Sequence, residues 1–377
     1  MECNSCAAET ERTFERLYQL TTAPALHWAA PNHDRAPGVV QACGSFLQRA
    51  WRDVTAAVQR LAVHRPASHA NVVVIEDDGA LLENDDLNLC GVAQAYYRHH
   101  PDDRHMLFVF SAGGGNVAKG FEAYYSSVRN DVKGIGRAVE DRSARCGSKG
   151  VLLGFANMNT TDHWKSFMAP LLDLWPMGVI THEIGHQWIA YITTPIKGIR
   201  LTTDPDSPRR SHWQPLFHTR ASPMYGNQWV PVPGSSVFHR DHKRDFVSDS
   251  LPRGFSALDK YLMGIARPQD VKGFWAIDAT KSHVIKHYAM PLNTAHGKKV
   301  EIGIGDIQQA AGGPRMPDWR SSQKKFNAAF ILVVPKGRKA SESALGVVEH
   351  FRKRFPAHFR GATDRKMEIA TALPPSH

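Results

Sequence analysis

No stretch of this chain approaches the roughly 18 consecutive apolar residues that a membrane-spanning helix needs, so no membrane span is expected. The segment Met1 to Thr10 is polar and acidic and lacks the apolar core of a signal peptide, which leaves a soluble chain whose composition fits cytosol and export alike. A leader absent from this sequence, or a non-classical export route, stays compatible with that reading. Five scattered cysteines (Cys3, Cys6, Cys43, Cys90 and Cys146) are an odd set and do not suggest a disulfide framework. Cys3 and Cys6 form a C-x-x-C, but no second pair completes a zinc knuckle. There is also no G-x-G-x-x-G, and no Lys-Ser/Thr follows Gly113-Gly114-Gly115 in Walker spacing, so the glycines are expected to form a loop. No internal repeat or low-complexity tract is present.

What the chain does contain is an ordinary globular composition, 42% hydrophobic and 22% charged, in 377 residues, enough for one large domain or two small ones. The net charge of +10 is spread along the sequence instead of gathered in a basic run. It implies a mild preference for anionic surfaces; no nucleic-acid partner is expected, and steep salt dependence of affinity would be the sign of one.

Residues 9–20 and 45–64 read as helices, the second with Phe46, Leu47, Ala50, Trp51, Val54, Ala57, Val58 and Leu61 in the 3.6-residue period. Strands are expected at Asn71 to Glu76, Met106 to Phe110, Val151 to Met158, Val300 to Ile304, Ala328 to Val334 and Lys366 to Leu373. Helices are expected at Asp86 to His99, Asp162 to Leu174, Met177 to Ile192 and Ser341 to Arg354. The stretch Thr194 to Pro215, rich in Pro, Asp and Ser, reads as a long loop. This organisation suggests an α+β protein: a helical region over 1–66, a main domain over 67–290, and a C-terminal α/β extension over 291–377.

Within the expected helix Met177 to Ile192 lies His182-Glu183-Ile184-Gly185-His186, an H-E-x-x-H. Residues four apart stack on one helix face, so two imidazoles can hold one ion while Glu183 projects beside it. Neutral imidazole nitrogens bind zinc at about 2.0–2.1 Å, and a catalytic zinc uses three protein ligands and keeps one position for water. The ion lowers the pKa of that water towards about 7, and Glu183 can take its proton and pass it to a leaving amine. The chain has 20 histidines, and a merely structural His-Glu-His helix is the competing reading.

The third ligand must lie elsewhere, because Ile189 and Ile192 occupy the Gly and His positions of the short metzincin form. The motif together with His212-Trp213, Met224-Tyr225-Gly226-Asn227 and Phe255-Ser256-Ala257-Leu258-Asp259-Lys260-Tyr261-Leu262-Met263-Gly264 resembles a largely uncharacterised bacterial group of zincin-type metallopeptidases. Tyr124-Tyr125 to Gly136 and Phe326 to Val334 fit the same group, so the likeness covers most of the chain from about residue 70. The resemblance implies a zincin-like catalytic domain, with a mixed sheet and an active-site helix, that uses zinc to hydrolyse peptide bonds in a protein or peptide substrate.

It also makes Asp259 the first choice for third ligand, since gluzincins and aspzincins use a downstream carboxylate. Tyr261 follows Asp259 by two residues where the aspzincin pattern has three, and Asp259 could instead cap its helix or orient a ligand histidine. His212 is the rival, as ligand, as donor to the developing oxyanion, or as a loop residue. Tyr225 could serve as the same electrophilic donor or lie in a turn beneath the site. Val151 to Met158 is equally a plain internal strand or an exposed edge that takes an extended substrate. Two other functions remain open: a non-catalytic protein on a degenerate zincin scaffold, and a zinc hydrolase of a non-peptide amide.

Overall fold

The computed structural model describes residues 69–83, 86–114, 117, 122–165, 167–168, 174–203, 212–220, 222–240, 254–279 and 294–374. The helices expected at 9–20 and 45–64 lie outside these. In chain order, the strand β1 (Val72–Glu76) leads to helix α1 (Leu89–Tyr97), β2 (Met106–Ser111), β3 (Tyr124–Ser127), β4 (Gly154–Thr160), a short α2 (Thr161–Lys165) and α3 (Leu174–Gly185). There follow β5 (Trp213–His218), β6 (Tyr225–Asn227), α4 (Ala257–Met263), β7 (Phe274–Asp278), β8 (Lys298–Ile302), α5 (Ile304–Ala310), β9 (Lys325–Val334), α6 (Glu342–Ala362) and β10 (Glu368–Ala370).

The main sheet has the order β1-β9-β2-β4-β3, with β10 added beside the first residues of β9. β1, β9, β2 and β4 run parallel and β3 is antiparallel to β4. A parallel sheet covered on both faces needs strands that are apolar throughout, and β9 is such a strand. Ala328, Phe330, Leu332 and Val334 enter the core on one face, and Ala329, Ile331 and Val333 enter the core on the other. That explains why the last part of the chain is no separate extension, as its position in sequence suggests. Its most apolar strand lies between β1 and β2, and residues His64–His377 form one compact unit.

One face of the sheet carries α3 and α6. Phe351 of α6 lies 5.1 Å from Phe110 and 5.2 Å from Trp164, ring centre to ring centre, and Phe355 lies 5.2 Å from Phe108. The apolar stripe continues to Phe359, so α6 runs beyond the expected end at Arg354 and through Pro356, despite the hydrogen bond that a proline removes. The other face carries α1, which starts later than expected because Asn88 caps it, its side chain accepting from the Gly91 amide at 3.0 Å. Cys90 on α1 is disulfide-bonded to Cys146, a pair inside a set of cysteines that did not suggest a disulfide framework. The fold brings together two residues 56 apart in sequence, and the scattered spacing gave no hint of it.

A second sheet, in the order β6-β5-β7-β8, is built from the later part of the chain. β5 begins inside the stretch read as loop, and the helix expected over Met177 to Ile192 stops at Gly185. After Gly185 the chain continues in tight turns, His186 N to Glu183 O at 3.1 Å and Gln187 N to Ile184 O at 3.1 Å, until Ala190 enters the left-handed region at φ 68°. Among the described residues no helix is long and apolar enough to cross a membrane.

Candidate metal centre

α3 fixes the first two imidazoles. Ile180 and Ile184 on its apolar side are fully buried in the core below the sheet, which turns His182 and Glu183 away from that core. His186 stands in the tight turn just past the helix end. β5 supplies the third imidazole, because His212 immediately precedes Trp213, whose amide donates to Met224 O at 3.0 Å and whose ring is fully buried.

The three side chains converge. His182 Nε2 lies 3.0 Å from His212 Nε2 and 3.1 Å from His186 Nε2, and one ligand atom from each residue falls within 4.8 Å of the others. Tetrahedral zinc with bonds of about 2.0–2.1 Å sets its nitrogens about 3.3 Å apart, so the spacing suits one ion. His182 Nδ1 sits 2.7 Å from the carbonyl of Pro223, to which it donates, leaving the Nε2 lone pair directed at its neighbours. Burial holds His182 down to about 4, and it holds His186 well below the ordinary histidine value, with the other two imidazoles adding to the effect. Neutral imidazoles whose lone pairs meet repel one another, and a cation between them removes the conflict. His186 Nδ1 is buried with no hydrogen-bond partner among the described residues.

Glu183 is buried, and its carboxylate accepts from the backbone amide of Tyr125 on β3. Burial pushes it up to about 8, with the Tyr125 amide acting in the opposite direction. The same edge strand is pinned to the turn after α3, Tyr125 Oη donating to Gln187 Oε1 at 2.6 Å and Gln187 Nε2 to Arg129 O at 2.9 Å. β3 is thus the sheet edge beside the motif, and Val151 to Met158, offered above as that edge, contributes to β4 inside the sheet.

Tyr225 stands against two of the imidazoles, its ring centre 4.9 Å from that of His182 and 4.6 Å from that of His212. It is 47% exposed and has a left-handed backbone, φ 73°, unusual for a tyrosine. Met224 beneath it is fully buried, and a β-carbon on Gly185 would meet its sulfur at 2.5 Å, so a larger residue at that place in the motif must displace Met224.

Asp259 stands outside the trio: the group that could hold an ion comprises His182, His186 and His212. Its carboxylate is fully buried and committed, Oδ1 accepting from Trp213 Nε1 at 2.8 Å and Oδ2 from the Ser256 amide at 2.8 Å in the capping box of α4. The carboxylate expected as third ligand is thus engaged away from the trio, and His212 stands beside the other two imidazoles in its place. Sequence reasoning missed the Pro223 carbonyl and the Tyr125 amide. Both are main-chain groups, carrying no side-chain signature; the one trace was Tyr125 within a segment of the family resemblance. No protein-family model, no curated protein and no solved structure matches this chain.

Proposed function

We propose that the chain is a zinc-dependent hydrolase acting on peptide bonds, with a zincin-like catalytic domain. The observation that carries the reading is the convergence of His182, His186 and His212 beside a buried glutamate, Glu183, the neighbour of His182 on α3. Three imidazoles with no fourth His, Cys, Asp or Glu in the group, among the described residues, suit a catalytic site better than a closed structural one. A mixed sheet with an antiparallel edge, running past the motif helix, agrees with a zincin-like arrangement.

His182, His186 and His212 would hold the ion. Zinc, when bound, makes water acidic enough to act as a nucleophile near neutral pH and polarises a carbonyl. Glu183 takes the proton of the attacking water and returns it to the leaving amine, a role suited to a carboxyl whose burial raises its pKa towards neutrality. The amide of Tyr125 orients that carboxylate. Tyr225, exposed against the imidazoles, is the donor to the oxyanion that develops on the attacked carbonyl. An extended peptide would add to the free side of β3 by main-chain hydrogen bonds.

Elemental analysis of purified protein, with a His186→Ala variant beside it, tests the metal, and a peptide-library cleavage assay tests the reaction. Near-stoichiometric zinc that disappears in the variant, together with cleavage, is the expected result. Zinc without cleavage of any peptide would move the reading to a non-peptide amide or a non-catalytic scaffold. Wild type that takes up no zinc after reconstitution would end it.

A further inference from the structure

One buried carboxylate touches both walls of the histidine trio without belonging to it. Asp259 Oδ1 receives the indole N–H of Trp213, whose chain neighbour is His212. The Ser222 side chain bonds the same carboxylate and also receives the Met224 amide, at 2.9 Å. Ser222 opens the turn closed by Tyr225 N to Ser222 O at 3.2 Å. From that turn come the Pro223 carbonyl that fixes His182 Nδ1 and the ring of Tyr225 packed against His182 and His212. The remaining oxygen is held by Ser256, so Asp259 is also locked to the first turn of α4.

We infer that Asp259 is the positioning residue of this centre, orienting His212 through Trp213 and His182 through the Ser222–Tyr225 turn, and that it sets the metal affinity without touching the metal. The inference rests on the trio being a metal site. The physical ground is that a ligand imidazole binds well only if its ring is already oriented, and the groups that orient it lie one hydrogen bond further out. A buried carboxylate suits this place because its bonds to N–H and O–H donors are short, strong and directional in a dry interior. Here the same group serves two chain segments, so the relative placement of two ligands depends on it.

The test measures Zn²⁺ affinity of the metal-free full chain by competition with a chromophoric chelator, and the visible spectrum of the Co²⁺ form. Asp259→Asn keeps the shape but puts a donor where the Ser256 amide needs an acceptor. It should still bind one equivalent of Zn²⁺, about 10- to 100-fold more weakly, with an altered Co²⁺ spectrum. Trp213→Phe removes only the indole link and should weaken binding in the same direction; it decides the matter if Asp259→Asn fails to fold. Asp306→Asn is the control, since Asp306 holds the same capping place in α5, accepting from the Gly303 amide at 2.8 Å, and should leave affinity unchanged. Wild-type affinity in both Asp259→Asn and Trp213→Phe would overturn the inference while leaving the metal site standing. Complete loss of Zn²⁺ in Asp259→Asn with wild-type affinity in Trp213→Phe would also overturn it, by making Asp259 act directly. A wild-type chain that binds no Zn²⁺ would overturn the site and the inference together.

Discussion

Replacing Gly185 by alanine is the sharpest perturbation of the motif that leaves every metal-binding atom in place. Gly185 is the last residue of α3 and has an ordinary helical backbone, so alanine is allowed there and its better helix propensity contributes at most about 1 kcal/mol. Against this, the new β-carbon would meet Met224 Sδ at 2.5 Å, Phe255 Cε1 at 3.2 Å and Met224 Cγ at 3.4 Å. Met224 is fully buried and Phe255 nearly so, so neither side chain has solvent to move into. Overpacking of this kind costs about 1–3 kcal/mol, and the net expectation is a loss of about 1–2 kcal/mol. Met224 lies between Tyr225 and the Pro223 carbonyl in sequence, so a displacement that reaches its backbone should lower Zn²⁺ affinity as well. Urea unfolding of the metal-free protein gives the stability and chelator competition the affinity. Met224→Ala in the Gly185→Ala background should recover part of the loss, a coupling of about 1 kcal/mol or more in a double-mutant cycle. If Gly185→Ala is as stable as wild type and binds Zn²⁺ equally well, the packing account of the motif is wrong.

Three other outcomes are expected. Glu183→Gln should retain Zn²⁺ but lose about 10²- to 10⁴-fold in the rate of peptide hydrolysis, and a variant that keeps the wild-type rate would remove Glu183 as the proton carrier. His218, stacked on Trp275 with ring centres 4.6 Å apart and accepting from the Trp229 amide at 3.0 Å, is held down to about 4 by burial and the charges of Arg220 and Lys299. The unfolded chain therefore takes this proton more readily, and stability present above about pH 6.5 should be lost as pH falls, by about 2 kcal/mol at pH 5. Urea midpoints of wild type and His218→Gln across that range check it, the variant showing the shallower slope. Phe351→Ala should cost about 3–5 kcal/mol in the same unfolding assay, because Phe351 is fully buried between Trp164 and Phe110.

The legible part of this chain was the part that local chemistry specifies. Apolar runs at Met106–Ser111 and Lys325–Val334 are readable because a strand covered on both faces must be apolar on both, and the edge strand Val72–Glu76 is readable from its β-branched run although Val74 is exposed. His182, Glu183 and His186 were readable because their spacing is the chemistry. The helix over this motif was read seven residues past its end, since that end depends on the turn at Ala190 and on Tyr125 of a distant strand bonding Gln187. The choice between His212 and Asp259 could not be made from spacing, as both lie downstream and both side chains ligate zinc.

By itself the sequence determined a mixed α+β chain and a helix carrying His182 and Glu183, with the second imidazole, His186, one residue past its end. Both follow from periodicities that operate within a few residues. The tertiary structure alone decided that β9 enters the middle of the sheet, that β3 is an edge strand of that sheet among the described residues, and that Cys90 meets Cys146. It also decided that His212 completes the trio while Asp259 is consumed by Trp213, Ser222 and Ser256. These are contacts between residues tens to hundreds of positions apart, and they depend on which buried donors and acceptors find each other once the core has closed.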